Sequence, residues 1–150
     1  MLRAILYICI LSNITVVHAG NCDIFGENYS SLSNSSEDVC FETCKSSTQC
    51  KGAVFISSWN KCFLKSIVKR RVQLTMYSKI METKGPAKKN MDSTGKDMKN
   101  IVTSTVNGCE QACRNLVGCA SYTYMDGYSS CWLKSAPAKL IEKKFSCYVK

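Results

Sequence analysis

The 150-residue chain carries 20 lysines and arginines against 11 acidic residues, a net charge of +9, with 11 cysteines and a single histidine. That length allows one or two small domains, neither able to bury a large apolar core. The basic balance admits acidic or sulfated partners, and one histidine leaves little room for imidazole-based catalysis or metal binding.

The chain opens MLRAILYICILSNITVVHAG. Arg3, the apolar run Ala4 to Leu11 and the small residues ending at Ala19 read as a signal peptide over 1–19, cleaved before Gly20. Ser12 and Asn13 break the run, which is too short to span a bilayer, and no later stretch comes near that length. Cleavage removes Cys9 and His18, so no histidine remains for a Ser-His-Asp or Cys-His centre. Ten cysteines are left in a secreted, oxidising setting where thiols pair. No metal or cofactor is expected, since zinc held by cysteine alone would call for CxxC pairs and the chain has none.

Residues 20–83 form a first module. Ser36 caps a short helix that carries Cys40 and Cys44 on one face, four residues apart. Cys50 follows, then an apolar strand GAVFI (52–56), a second strand through CFLK (62–65) and a last strand through VQLTMYS (72–78). Residues 84–90, with Gly85, Pro86 and three lysines, read as a basic linker.

Residues 91–150 repeat the pattern. Cys109, Cys113, Cys119 and Cys131 follow Cys40, Cys44, Cys50 and Cys62 at a constant offset of 69, and CWLKS (131–135) echoes CFLKS (62–66). Thr105 stands where Ser36 does, ASYTY (120–124) replaces GAVFI, Asp126-Gly127 suits a hairpin turn, and FSCYV (145–149) is the last strand. Each module is expected to be α+β, one helix packed on a small antiparallel sheet. So small a module needs staples. Cys44–Cys50 with Cys40–Cys62, and Cys113–Cys119 with Cys109–Cys131, suit that geometry, although sequence alone leaves the connectivity open.

CxxxCxxxxxC, an aromatic-rich strand and CxLKS, once per module, resemble the PAN/apple family over nearly the whole mature chain. The resemblance implies a helix cradled by a twisted antiparallel sheet, with that nested pairing. It also implies a further disulfide between the first and last strands of each module, and here the sequence departs. The first module opens with Cys22 but ends Met76-Tyr77-Ser78; the second ends with Cys147 but opens at Met91. Methionine at both lost positions would keep an apolar filler in place of a cystine. Each module therefore holds five cysteines. The odd pair forms either one Cys22–Cys147 bond within the chain, the economical solution, or bonds between two chains of a dimer.

Small secreted proteins of tandem apple modules are most similar to the microneme lectins of apicomplexan parasites, several of which bind galactose-type sugars. The resemblance thus implies an adhesion protein, stored in a secretory organelle before release, whose partners are glycans or glycoprotein receptors on a cell surface. Tyr122, Tyr124, Asp126, Tyr128, Trp132 and Lys134 fall in one hairpin and combine flat aromatic faces with polar groups, as a sugar site requires. Period-two alternation sends Tyr122 and Tyr124 to one face, which makes them candidates for core instead. The first module's Trp59 has no such acid beside it and is expected to matter less. Lys69, Arg70, Arg71 and Lys143, Lys144 precede the two last strands and suit sulfated glycans or a protein receptor. Asn28 and Asn34 begin possible N-glycosylation sequons. No CxxC redox pair or carboxylate constellation marks an enzyme, and no nucleic-acid motif is present.

Overall fold

The computed structural model describes residues 19–150. The expected signal peptide lies almost wholly outside them. Twelve strands and two helices follow one another: β1 (Ala19–Gly20), β2 (Cys22–Leu32), α1 (Glu37–Ser46), β3 (Gly52–Ile56), β4 (Lys61–Gln73), β5 (Met76–Ile80), β6 (Lys88–Lys89), β7 (Met91–Ser93), β8 (Asp97–Val102), α2 (Val106–Asn115), β9 (Cys119–Met125), β10 (Ser130–Ser135), β11 (Leu140–Glu142) and β12 (Phe145–Val149). Both helices begin at the expected caps. The Val39 N–H donates to Ser36 Oγ at 3.3 Å and the Gly108 N–H to Thr105 Oγ1 at 3.0 Å, satisfying donors that a helix start leaves orphaned.

The sheets do not follow the two halves of the chain. One five-stranded sheet is ordered β1-β12-β3-β4-β2, the other β6-β5-β9-β10-β8, and β7 pairs with β11 in a small third sheet. The last strand of each half therefore pairs in the sheet of the other half. β12 lies against β3 with Cys147 opposite Val54, and β5 lies against β9 with Ser78 opposite Thr123. These registers match at the offset of 69, and they correct one alignment. The residue in the place of Cys147 is Ser78, not Met76, whose counterpart is Phe145.

The exchange accounts for the odd cysteines. In the first sheet Cys22 and Cys147 are bonded within one chain, with Cα atoms 5.8 Å apart. In the second, their counterparts Met91 and Ser78 meet through a hydrogen bond, Ser78 Oγ donating to the Met91 carbonyl at 2.7 Å. The remaining bonds are Cys40–Cys62, Cys44–Cys50, Cys109–Cys131 and Cys113–Cys119. The linker is also structured in part, because β6 runs along β5 just as β1 runs along β12. β4 is one long strand, whereas its counterpart is divided into β10 and β11 around Pro137, which has no N–H for a ladder.

Alternation sorts each central strand between two cores. In β3, Ala53 and Phe55 pack toward α1 with Phe41 and Tyr148, while Val54 and Ile56 face the other module. Both faces are buried, which is why GAVFI is continuously apolar. In β9, Tyr122 and Tyr124 pack under α2. The faces turned toward each other form the middle of the molecule, where Met76 of β5 and Phe145 of β12 join Ile24, Val54, Ile56 and Leu74.

Candidate functional site

Each module presents a short helical turn to its neighbour, Ser57–Trp59 from the first and Asp126–Tyr128 from the second. The contacts are reciprocal. The Ser57 N–H donates to the Lys144 carbonyl and the Lys144 N–H to Ser57 Oγ, both at 3.0 Å. At the matching positions the Asp126 N–H donates to the Thr75 carbonyl at 3.1 Å and the Thr75 N–H to Asp126 Oδ1 at 2.7 Å. Trp59 and Tyr128, 69 residues apart, are thus carried into equivalent slots on opposite modules.

The slot in the first module is full. Tyr128 donates its hydroxyl to Asp23 Oδ2 and sets its ring edge-on to Phe25, centroids 5.3 Å apart. Burial, and then the bond to Asp23, push the Tyr128 phenol well above its ordinary pKa. Ile24, Val54 and Leu74 make the floor apolar. Lys65 sits largely buried there, its pKa lowered by burial and partly restored by Asp23.

The slot in the second module is open. A cleft of about 300 Å³ remains between Trp59, Trp132, Asp92, Asp97, Lys134 and Lys143, with Met76, Thr123, Met125 and Phe145 below. Lys143, only 8 % exposed, stands where the first module has Leu74. Its ammonium lies 2.9 Å from Asp92 Oδ2 and 4.1 Å from the centroid of Trp59, a cation–π pairing that holds the half-exposed indole over the cleft. Lys134 reaches Asp97 at 2.7 Å and Asp92 at 3.8 Å.

Beside these apolar residues a polar network runs from the cleft into the second module. Thr123 donates its hydroxyl to Asp92 Oδ1 at 2.9 Å and accepts from the Ser93 N–H at 3.1 Å. Ser78 Oγ lies 2.8 Å from Thr123 Oγ1, and Ser93 Oγ 2.6 Å from Ser121 Oγ. Burial raises the Asp92 pKa, but the charge and hydrogen bond of Lys143, then Lys134 and Thr123, outweigh it and hold the carboxyl below its usual range. Buried polar groups are costly unless satisfied, and here every one of these groups has a partner.

The expected hairpin site divides in this arrangement. Trp132 and Lys134 line the cleft. Tyr122 and Tyr124, expected at the site, do not face a ligand: they are 0 % and 3 % exposed, under α2, the core position that strand alternation offered as the competing reading. Asp126 and Tyr128 are occupied in holding the other module. Trp59, expected to matter less, is a wall of the cleft, and its acids come from the second module. Lys143 does not belong to a solvent-facing basic patch, because it is buried against Asp92 and Trp59. Lys144 is exposed and pairs with Glu142, and Lys69, Arg70 and Arg71 are exposed on β4, with Arg70 stacked 4.5 Å over Phe25. Asn28 lies exposed on β2, and Asn34 exposed in the connection to α1. Sequence reading gave Asp92 and Asp97 no role, ranked Trp59 low and set Lys143 in a basic patch; the one available signal was the offset, which aligns Trp59 with Tyr128.

Two PAN domain family models match the chain, one over residues 15–83 and one over residues 91–134. No curated protein matches it.

Proposed function

The chain belongs to the PAN domain family, whose members are binding modules rather than catalysts, and from that premise we propose that it is a secreted recognition protein that binds carbohydrate in the cleft between its two modules. The observation that carries this reading is the pair of equivalent slots. One is filled by the protein's own Tyr128 over an apolar floor; the other is left open, lined by two tryptophans and by carboxylate, ammonium and hydroxyl groups. A sugar ring needs those two chemistries together, an aromatic face for its C–H groups and hydrogen-bonding groups for its hydroxyls. A cleft of about 300 Å³ is at the small end for ligand sites, suited to one ring. Galactose-type residues come first, because an axial hydroxyl leaves one ring face free to lie on an indole. Five disulfides support an oxidising, extracellular setting. No helix among the described residues is long and apolar enough to cross a membrane.

A glycan array read with wild type, Trp59→Ala and Trp132→Ala tests the proposal. Binding to galactose- or GalNAc-terminated glycans, competed by free sugar and lost in both variants, is the expected result. A second reading rests on Lys69, Arg70 and Arg71, which form no ion pair among the described residues. Binding that survives both tryptophan changes, and weakens steeply with salt, would assign the function to that ridge and to sulfated glycans. No glycan signal of either kind would favour a protein receptor.

A further inference from the structure

We propose that Asp97 sets which sugars the cleft admits, selecting neutral rings and rejecting those that carry a carboxylate; this rests on the carbohydrate reading above. Three of the four charged groups in the cleft are already committed. Asp92 receives Lys143 and Thr123 on its two oxygens, with Lys134 nearby. Lys143 is enclosed by Asp92 and the Trp59 ring. Lys134, 11 % exposed at its side chain, is held by Asp97 Oδ1 at 2.7 Å. Asp97 differs: its side chain is 53 % exposed, and its Oδ2 has no partner among the described residues. Lys134 fixes the carboxylate through Oδ1, so that a half-exposed side chain lining the cleft presents its other oxygen free of any protein partner among the described residues.

A ligand hydroxyl donates to that oxygen. A ligand carboxylate does not, and would meet Asp97 in a cleft whose two ammonium groups are already neutralised. The trait belongs to this cleft alone, since the residue in the same place in the first module is Asn28, above the slot that Tyr128 fills.

Asn28 also shows that the fold accepts asparagine at this strand position, so Asp97→Asn is a clean test. Binding of methyl galactoside and of galacturonate, the same ring with a carboxylate, is measured by titration calorimetry on the full oxidised chain. Wild type should prefer methyl galactoside by at least tenfold. Asp97→Asn should weaken methyl galactoside by roughly 10- to 100-fold, the range for a hydrogen bond to a charged group. It should also free Lys134 and so invert the preference toward galacturonate. Trp132→Ala should weaken both sugars alike. Equal wild-type affinity for the two sugars, or an unchanged preference in Asp97→Asn while Trp132→Ala still weakens both, overturns the role of Asp97 and leaves the cleft intact. Failure of wild type to bind either sugar overturns the carbohydrate reading, and this inference with it.

Discussion

The two slots have the same backbone frame and opposite interiors. The first is closed by a disulfide, an apolar floor and a tyrosine anchored by its hydroxyl. The second replaces Cys147 with Ser78, Ile24 with Ser93, Val54 with Thr123 and Leu74 with Lys143, and the inserted ring no longer fills it. The first slot stabilises the molecule. The second gives up apolar burial and a covalent bond for a satisfied polar network beside open space. Such a trade is expected at a binding site, where local stability yields to chemistry.

The sharpest way to break this comparison is to remove the covalent half of it. Cys22→Ser with Cys147→Ser opens the longest disulfide loop, with 125 residues separating its ends. Chain entropy puts the loss at about 5 kcal/mol at most, less because four inner bonds already restrict the unfolded chain. A fall in Tm on the order of 10 °C is expected. Because each sheet borrows a strand from the other half, melting should stay a single transition. Calorimetry resolving two independent transitions would show that the modules fold separately and that the exchange does not couple them.

The next largest effect separates the two inserted rings. Tyr128→Ala empties the closed slot and leaves Asp23 without the hydroxyl that bonds it. About 2–3 kcal/mol of stability should go, below the range for a fully buried aromatic because Tyr128 is half-buried. Trp59→Ala should cost under ~1 kcal/mol, since the indole is 53 % exposed. Binding should reverse that order, with Trp59→Ala losing the ligand and Tyr128→Ala keeping it. Denaturant melts and a binding titration on both variants decide the matter, and equal stability losses would erase the distinction between a filled and an open slot.

Much of the fold was legible, because it rests on local chemistry. Ser36 and Thr105 mark the helix starts, Cys40 and Cys44 share a helical face, and alternation identifies Tyr122 and Tyr124 as core. The strand exchange was not legible from patterning, since β5 and β12 have the same register and period and fit either sheet. Their preference is set by distant partners. Lys79 of β5 pairs with Glu110 of α2 at 2.9 Å, whereas Tyr148 of β12 packs on Phe41 of α1. Cys147 has a thiol partner only in the first sheet. The odd cysteine in each half was the one visible trace of the exchange. The cleft was half legible for the same reason: Trp132 and Lys134 sit in one hairpin, but Trp59, Asp92 and Lys143 come from three separate segments of the chain.

That pairing also predicts a difference in acid sensitivity. Hydrogen bonds from Lys79 and Arg114 hold Glu110 below its ordinary pKa, and Asp92 is lowered as well. A carboxyl with a depressed folded pKa adds stability at pH values above its unfolded pKa, and that stability is lost as pH falls through the folded value. Both residues belong to the second module; the residue matching Glu110 in the first is Phe41. Stability should therefore decline below about pH 4, where unfolded carboxyls begin to protonate. Glu110→Gln should lower stability near neutral pH by about 1–2 kcal/mol, because it leaves Lys79 buried with a weaker partner. It should also flatten the acid limb. An unchanged pH profile in that variant would place the acid sensitivity elsewhere.

The smallest expected effect lies in the turns themselves. Gly127, in the turn that fills the closed slot, has no room for a side chain, since a Cβ there would come 2.4 Å from the Gln73 carbonyl oxygen. Its counterpart Ser58 does carry a side chain, and its hydroxyl is the one buried side-chain oxygen or nitrogen among the described residues without a hydrogen-bond partner. A buried hydroxyl left unpaired costs roughly 1–3 kcal/mol of desolvation. Ser58→Ala keeps the Cβ and deletes only that hydroxyl, so stability should rise by about 0.5–1 kcal/mol. The turn beside the open slot would then be less well optimised than the turn that seals the other. Urea melts of the single variant are sufficient to test it, because the change lies far below what would alter the fold. A loss of stability instead would mean that the hydroxyl finds a partner in solution, and the contrast between the two turns would come down to the space around Gly127 alone.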